Sequence, residues 1–185
     1  MSTALDDARA ALKERQGLGA RYDAPGAPAR ELDWARRGTA YFARILNDLP
    51  DDALDEPSAI IGFSRRRLIA QIGYQARLFS EIVAWARSGQ TAPFPKEAAV
   101  SPDDLEFGIT QPSRALRYLF EHSAIHLNVE WRDMTDAVWD QSVTDIKGKS
   151  VNLRQTPLLR AKSLWQHALD LKAGGREADL PIELR

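Results

Sequence analysis

"RRRLIAQIGYQARLFSEIVAWAR", residues 65–87, is the stretch that decides the fold, because it carries a long and regular helical pattern. Its apolar side chains recur every three or four residues and form one stripe, made by Leu68, Ile72, Ala76, Phe79, Val83 and Ala86. Such spacing is typical of an amphipathic helix with one face in a core. Ser64 precedes it as an N-cap and Gly89 follows it as a stop, so we predict a helix over residues 65–87.

Three further helices are predicted around this one. Residues 30–49 have apolar side chains at helical spacing, and "RALRYLFEHSAIHLNVEW" has them after Pro112, which permits a break or kink. Thr156 and Pro157 open the last helix. The stretch before Pro112 also begins as a helix, because "SPDDL" from Ser101 has a cap, a proline and acids in order. Four helices that each have an apolar face must bury those faces together. We therefore predict an all-α fold, an up-and-down four-helix bundle with its site between facing helices.

Two smaller elements are predicted outside the four helices. "LDDARAALKERQ" near the N-terminus has the pattern of an extra short helix, acidic first and basic last. "SVTDI–KGK–SVNLR" alternates around a glycine turn and predicts a small β-hairpin before the last helix. We accordingly divide the chain into an N-terminal helical arm and linker, residues 1–29, and a bundle domain, residues 30–185.

Composition narrows the classes of partner and compartment. The 185 residues include 25 basic and 26 acidic side chains, a net charge of −1, which favours neither nucleic acid nor an anionic membrane as a partner. There is no cysteine, so disulfides, thiolate metal ligands and a cysteine nucleophile are excluded. The charged N-terminus lacks a signal-peptide core and no apolar run approaches the ~18 residues of a membrane span. We expect a cytoplasmic protein, and a homodimer stays open.

Polar residues on otherwise apolar helix faces mark the candidate site. Gln71 and Gln75 lie one turn apart beside the stripe of the 65–87 helix, and Ser163 and His167 lie four residues apart on the last helix. Gln71 and Gln75 are equally consistent with boundary residues at the edge of the core. No acid on the same helix orients His167 and no oxyanion site is visible, so a serine nucleophile at Ser163 is disfavoured.

His122, His126 and Glu130 follow one another at spacings of four and can share one helix ridge. Two imidazoles and a carboxylate are a plausible ligand set, but the ridge rises roughly 12 Å over its length, so one ion does not easily reach both ends. His126 is better explained as a core histidine hydrogen-bonded to a carbonyl or carboxylate. Both histidines also remain candidates for general acid–base roles.

Arginines are the candidate partners of an anionic ligand. Arg65, Arg66 and Arg67 occupy the first turn of a helix, where the helix dipole disfavours cations. The run is either a solvated face or an anion site that adds a guanidinium to exposed N–H groups. Arg66 and Arg77 are the side chains that we expect to bind a substrate carboxylate.

Three stretches in the right order carry a resemblance to a known family: "GFSRRRLIAQIGYQARLFSEIVAWARSG", "RALRYLFEHSAIHLNVEWRDM" and "LLRAKSLWQHALDL". Together they resemble the mycothiol-dependent maleylpyruvate isomerases, within the DinB-like helical bundle superfamily, over residues 30–183. The resemblance implies a four-helix bundle with a divalent metal, usually zinc, held by His, Glu and His from two helices. In this family the metal activates a low-molecular-weight thiol, which adds to a cis double bond so that the bond can rotate to trans.

The resemblance also implies which positions of this chain correspond to the metal ligands. The first histidine of the family falls on Gln71, the glutamate on Ser163 and the second histidine on His167, so only His167 matches. A neutral amide and a hydroxyl are poor zinc ligands, and the only negative charge of the site is lost. We expect no metal ligands and no tightly bound cofactor, with a low-molecular-weight thiol as an open alternative. The resemblance also implies a further C-terminal subdomain in many members, and the sequence, which ends at "LPIELR", leaves open whether this protein has one.

Two functions from different classes follow from this pattern. The first is a small-molecule enzyme of isomerase-like chemistry that acts on an unsaturated carboxylate without a tightly bound metal, with His167, His126 and His122 as proton-transfer groups. Gln71, Gln75, Ser163, Arg66 and Arg77 are then its substrate-binding residues. The second is a non-catalytic metabolite-binding or scaffold protein of the same fold. The enzyme predicts an open polar pocket around His167 and the scaffold predicts a closed one.

Overall fold

The structure, a computed structural model, describes residues 10–11, 22–90, 92–96, 100–144 and 148–185. It contains six α-helices in the described ranges and one small hairpin. The helices are α1 (Ala29–Asp48), α2 (Arg65–Arg87), α3 (Pro102–Thr110), α4 (Ser113–Arg132), the single turn α5 (Asp136–Trp139) and α6 (Thr156–Asp170). The predicted N-terminal helix lies almost wholly outside the described residues.

Helix α2 is bounded as its sequence predicts. The Ser64 side chain accepts a hydrogen bond from the backbone N–H of Arg67 and so caps the first turn. Gly89, two residues after the helix, has a φ of +74°, which a residue with a Cβ rarely adopts. The predicted apolar stripe is buried along its whole length. The helix thus places one face in the core and leaves Gln71 and Gln75 at the edge of that face.

The four long helices form the predicted bundle, with α2 packed on α4 and α1 packed on α6. Aromatic pairs fill the centre: Tyr41 lies against Trp165 with ring centroids 4.8 Å apart, and Phe42 lies against Phe120 at 5.0 Å. Gly38 permits close approach of α1 and α6, because a Cβ at this position would lie 2.9 Å from Nε1 of Trp165. None of the described helices is long and apolar enough to cross a membrane.

Helices α2 and α4 run in the same direction. Arg66, at the start of α2, donates to the carbonyl oxygen of Gln111 just before α4 at 2.6 Å. Arg87, at the end of α2, pairs with Glu130 near the end of α4 at 2.6 Å. The connection between the two helices, which includes α3, therefore returns the chain to the end of the bundle where α2 began. The four-helix bundle is as predicted, but its long helices α2 and α4 are parallel, whereas an up-and-down order makes consecutive helices antiparallel. The connection places α3 beside the first half of α2.

The predicted hairpin is present before α6. Strands β1 (Ser142–Thr144) and β2 (Ser150–Asn152) pair antiparallel, with Val143 opposite Val151. Residues 145–147 at the predicted turn lie outside the described ranges. The carbonyl oxygen of Thr144 accepts a hydrogen bond from the backbone N–H of Phe94, so the hairpin is joined to the segment that leaves α2.

Candidate functional site

A pocket of about 630 Å³ lies between α2, α6 and the start of α3. Its apolar walls come from α2 and from the segment that begins α3. They consist of Ile72, Tyr74 and Leu78 on α2 and of Val100, Pro102 and Leu105 in the second segment. Gly108 brings α3 against α2, since a Cβ there would lie 2.6 Å from the ring of Tyr74. The close packing of α3 on α2 therefore forms one wall of the pocket.

Four of the eight predicted site residues line this pocket: Gln71 and Gln75 from α2, and Ser163 and His167 from α6. The two residues of each pair lie one helical turn apart, on the same face of their helix. Because both pairs line this pocket, they face each other across it. Nε2 of Gln75 donates to Oγ of Ser163 at 2.7 Å. The site predicted from the sequence as polar interruptions of two apolar faces is thus a single polar surface.

Arg160 fixes the orientation of Gln75 from behind the pocket. Its side chain is only 1% exposed, and its Nη1 donates to Oε1 of Gln75 at 3.0 Å and to the carbonyl oxygen of Ile72 at 2.6 Å. Burial lowers the pKa of the Arg160 guanidinium to about 9, so it is still mostly charged at neutral pH. Arg160 is not among the site residues predicted from the sequence, although its position three residues before Ser163 and seven before His167 places it on the same helix face.

Two polar atoms of the pocket residues are buried without a hydrogen-bond partner among the described residues: Oε1 of Gln71 and Nδ1 of His167. Buried polar atoms are nearly always paired with protein or water, so an unpaired polar atom in a pocket indicates a place for a polar group of a ligand or water. The two atoms belong to facing helices, α2 and α6. A molecule that bridges the pocket can therefore contact both.

The imidazole of His167 is held neutral by its surroundings. Burial lowers its pKa below the ordinary value of 6.5, while the charge of Asp170 and the carbonyl of Ser163 act in the opposite direction and are weaker. At neutral pH the imidazole is therefore unprotonated, which leaves it able to accept a proton.

The ring of His167 should titrate below pH 6.5 in an NMR titration of the imidazole signals. As pH falls, the imidazole of His167 takes up a proton in the unfolded state before it does so in the folded state. The contribution of His167 to the free energy of unfolding is therefore complete above pH 6.5 and is lost as pH falls through the folded-state pKa. A His167→Asn variant assigns the signal by its disappearance and should flatten the acid limb of a stability-against-pH curve. A signal of His167 that titrates at or above 6.5 would contradict this description of the site.

The other four predicted site residues do not line this pocket. His122 and His126 are exposed on α4, where His122 stacks on Tyr118 and His126 lies 3.4 Å from Glu130. The preference for His126 as a core histidine is therefore wrong, because its position on α4 faces outward. Glu130 instead pairs with Arg87 across the two parallel helices.

The two arginines predicted to bind a carboxylate lie outside the pocket lining. Arg66 pairs with Asp55 at 2.7 Å and bonds to the carbonyl oxygen of Gln111. Arg77 is exposed on α2, but its charge acts on both Tyr74 and Asp104, so it lies near the mouth of the pocket on the side of α3. Among the described residues, no group of three or more His, Cys, Asp or Glu side chains could hold a metal ion.

Comparison with protein families matches residues 35–172 to the family described as the mycothiol maleylpyruvate isomerase N-terminal domain. The chain belongs to this family. The match contains α2, α4 and α6 together with all four polar residues of the pocket, and it confirms the resemblance predicted from the three sequence stretches. Comparison with the curated proteins finds no match.

Two solved structures resemble this member of the isomerase family: the mycothiol-dependent maleylpyruvate isomerase and a histidine-to-alanine mutant of the same enzyme. Each is 32% identical to the chain, superposes with a TM-score of 0.76, and is matched over 85% of this chain. The match covers 65% of the length of those chains. The helical bundle is therefore shared, whereas part of the related proteins has no counterpart in the match.

Proposed function

We propose that this family member is a small-molecule enzyme of isomerase-like chemistry, which acts on an unsaturated carboxylate at His167 without a tightly bound metal. The observation that carries the proposal is the open pocket in which Nδ1 of His167 and Oε1 of Gln71 are both buried and unpaired. A polar pocket with a neutral histidine is what proton transfer on a small molecule requires.

The donor set of the pocket supports the metal-free part of the proposal. Among the described residues, the lining contains one imidazole, two amides and three hydroxyls, from Tyr74, Ser101 and Ser163, and no carboxylate. Zinc in proteins takes imidazole, thiolate or carboxylate ligands, and the Oγ of Ser163 already accepts a hydrogen bond from Gln75. The residues at the positions that correspond to the family ligands therefore do not fit a zinc ion.

Each polar residue has a distinct role in the proposed chemistry. His167 accepts a proton from the bound molecule and returns it, because its imidazole is neutral at the start. The amide oxygen of Gln71 accepts a hydrogen bond from a donor group of the ligand. Gln75, held by Arg160, keeps the Ser163 hydroxyl in place at 2.7 Å. A low-molecular-weight thiol, when bound, supplies reversible addition to a double bond, and His167 is the group placed to take up its proton.

Arg77 is the proposed partner of the substrate carboxylate. The described residues of the pocket lining include no Lys or Arg, and the charge of Arg77 acts on the lining residue Tyr74 and on Asp104 of α3, which supports a guanidinium near the mouth of the pocket. The carboxylate would then remain near solvent while the unsaturated part of the molecule enters the apolar interior between Leu78 and Leu105.

The test is an isomerisation assay with maleylpyruvate, a cis keto dicarboxylic acid, and a low-molecular-weight thiol, in the presence and absence of a zinc chelator. We expect conversion to the trans isomer that resists the chelator and falls by about 10²- to 10⁴-fold in His167→Asn, as for the loss of a general acid–base group. His122→Asn is the matched control, since His122 lies on the exposed face of α4. Loss of activity on chelation, or equal activity of the His167 variant, would contradict the proposal.

A non-catalytic binding protein is the second candidate. It is favoured by the hydrogen bonds that join Arg160, Gln75 and Ser163 to one another, because polar groups satisfied within the protein are less available to a substrate. In that case the acid binds without conversion, and ligand-observed NMR detects the binding in the absence of any thiol. Binding that is retained in His167→Asn and is not followed by turnover would select this second function.

A further inference from the structure

Arg160 is a buried cation without an acidic partner among the described residues. It forms no ion pair there, and its Nη2 atom is buried without a hydrogen bond. Its two hydrogen bonds, both from Nη1, go to a neutral amide and a backbone carbonyl. Because a buried charge is costly unless it is paired, an uncompensated guanidinium in a core indicates a place for an anion.

A groove of about 410 Å³ reaches Arg160 from the side of the bundle opposite to the His167 pocket. It lies between α1 and α4, and its apolar walls are formed by Ala43, Phe120, Ile125 and Leu127. The groove shares no lining residue with the His167 pocket. Ile125 is 59% exposed at its mouth, so the groove opens to solvent beside an apolar side chain.

The other charged residues of the groove either have a partner of opposite charge or are exposed. Arg36 is held by Asp23 at 2.6 Å and by Asn128 at 2.8 Å. Arg132 lies 3.5 Å from Asp133. Glu121 is exposed on the rim, so its carboxylate is screened by water, and it forms no ion pair with Arg160. The charge that lacks a partner is therefore that of Arg160.

We infer that the groove between α1 and α4 binds a small carboxylate with an apolar tail, whose oxygen accepts a hydrogen bond from the guanidinium of Arg160. A guanidinium with nitrogens that form no hydrogen bond among the described residues suits a carboxylate, and the walls at Ala43, Phe120 and Leu127 suit a hydrocarbon tail. This site is distinct from the proposed active site and does not depend on the reaction there. Since Nη1 of Arg160 also holds Gln75, an occupant of the groove contacts the residue that orders the polar wall of the pocket.

The test is a titration of the full chain with hexanoate at low salt, followed by two-dimensional amide NMR. We expect saturable shifts on α1 and α4 around Ala43 and Leu127, with binding at least ~10-fold weaker in Arg160→Met, because a charge-assisted hydrogen bond is lost. Arg44→Met, which removes one exposed cation of α1 elsewhere, should leave the affinity unchanged. Unchanged binding in Arg160→Met, or no binding of hexanoate by the natural chain, would overturn the inference.

Two further probes separate the charge from the tail. Hexanamide, which has the tail without the charge, and inorganic phosphate, which has charge without a tail, should both bind more weakly than hexanoate. If either binds as tightly, the ligand class assigned here is wrong. Ala43→Trp should block the groove without altering Arg160, whereas Leu78→Trp, which blocks the other pocket, should not affect the shifts on α1 and α4. These variants keep the inference testable if Arg160→Met fails to fold.

Discussion

A chain that carries Gln71→His and Ser163→Glu together should bind one zinc ion per molecule, whereas the natural chain should carry almost none. The two substitutions supply the histidine and the glutamate that the resemblance implies as metal ligands at these positions, beside His167. All three positions line one pocket, on helices that face each other. Ligation in a good zinc site contributes on the order of 10 kcal/mol, so we expect binding at least ~1,000-fold tighter than that of the natural chain.

The measurement is metal content by inductively coupled plasma mass spectrometry, followed by competition with a zinc indicator. Adding His167→Ala to the double variant should abolish the new site, because two ligands remain. Gln71→His with Ser163→Gln tests the need for the negative charge and should bind much more weakly. Near one equivalent of zinc in the natural chain would contradict the ligand argument and would show that His167 has recruited other partners.

The helices could be predicted closely from the sequence because their signals are local. Ser64 and Gly89 mark the limits of α2 through a side-chain hydrogen bond and a left-handed backbone position, and both act within a few residues. Ser101 begins α3 through a reciprocal capping box with Asp104. Helical periodicity also places Gln71 with Gln75, and Ser163 with His167, on inward helix edges, whereas the meeting of the two pairs in one site was implied by the family resemblance.

Other features depend on contacts between distant parts of the chain and left no local signal. The parallel arrangement of α2 and α4 is set by the path of the connection through α3, which periodicity does not report. His126 has apolar neighbours in sequence, yet its side of α4 faces outward because the other side packs on α2. Arg160 was missed since arginine is rarely buried, and composition gives no reason to expect a buried guanidinium.

Arg65→Met should destabilise the fold by about 3 to 4 kcal/mol, far more than the same change at its neighbour Arg67. The guanidinium of Arg65 is largely buried and donates to the carbonyl oxygens of Leu171, Lys172 and Ala53 at 2.7, 3.0 and 3.1 Å. Removing the donor leaves the carbonyls of Leu171 and Lys172 without a partner, each costing about 1 kcal/mol or more. It also removes the hydrogen bond to Ala53, whose carbonyl still accepts from the backbone N–H of Glu56, and the ion pair with the Glu56 carboxylate at 2.6 Å. The carbonyls of Leu171 and Lys172 also explain why a cation is tolerated at the start of α2. They follow the C-terminal end of α6, so the negative end of the α6 dipole lies against the Arg65 guanidinium.

Arg67→Met is the matched control, because it removes an equal charge two residues away. Arg67 pairs with Glu106, whose side chain is 62% exposed, and lies over the ring of Phe63, so its loss should cost less than about 1 kcal/mol. Urea unfolding followed by far-UV circular dichroism compares the two variants with the natural chain. Equal losses would show that the arginine run acts only as a solvated charged face. A large loss confined to Arg65 would show that this residue joins the start of α2 to the end of α6, one turn beyond His167.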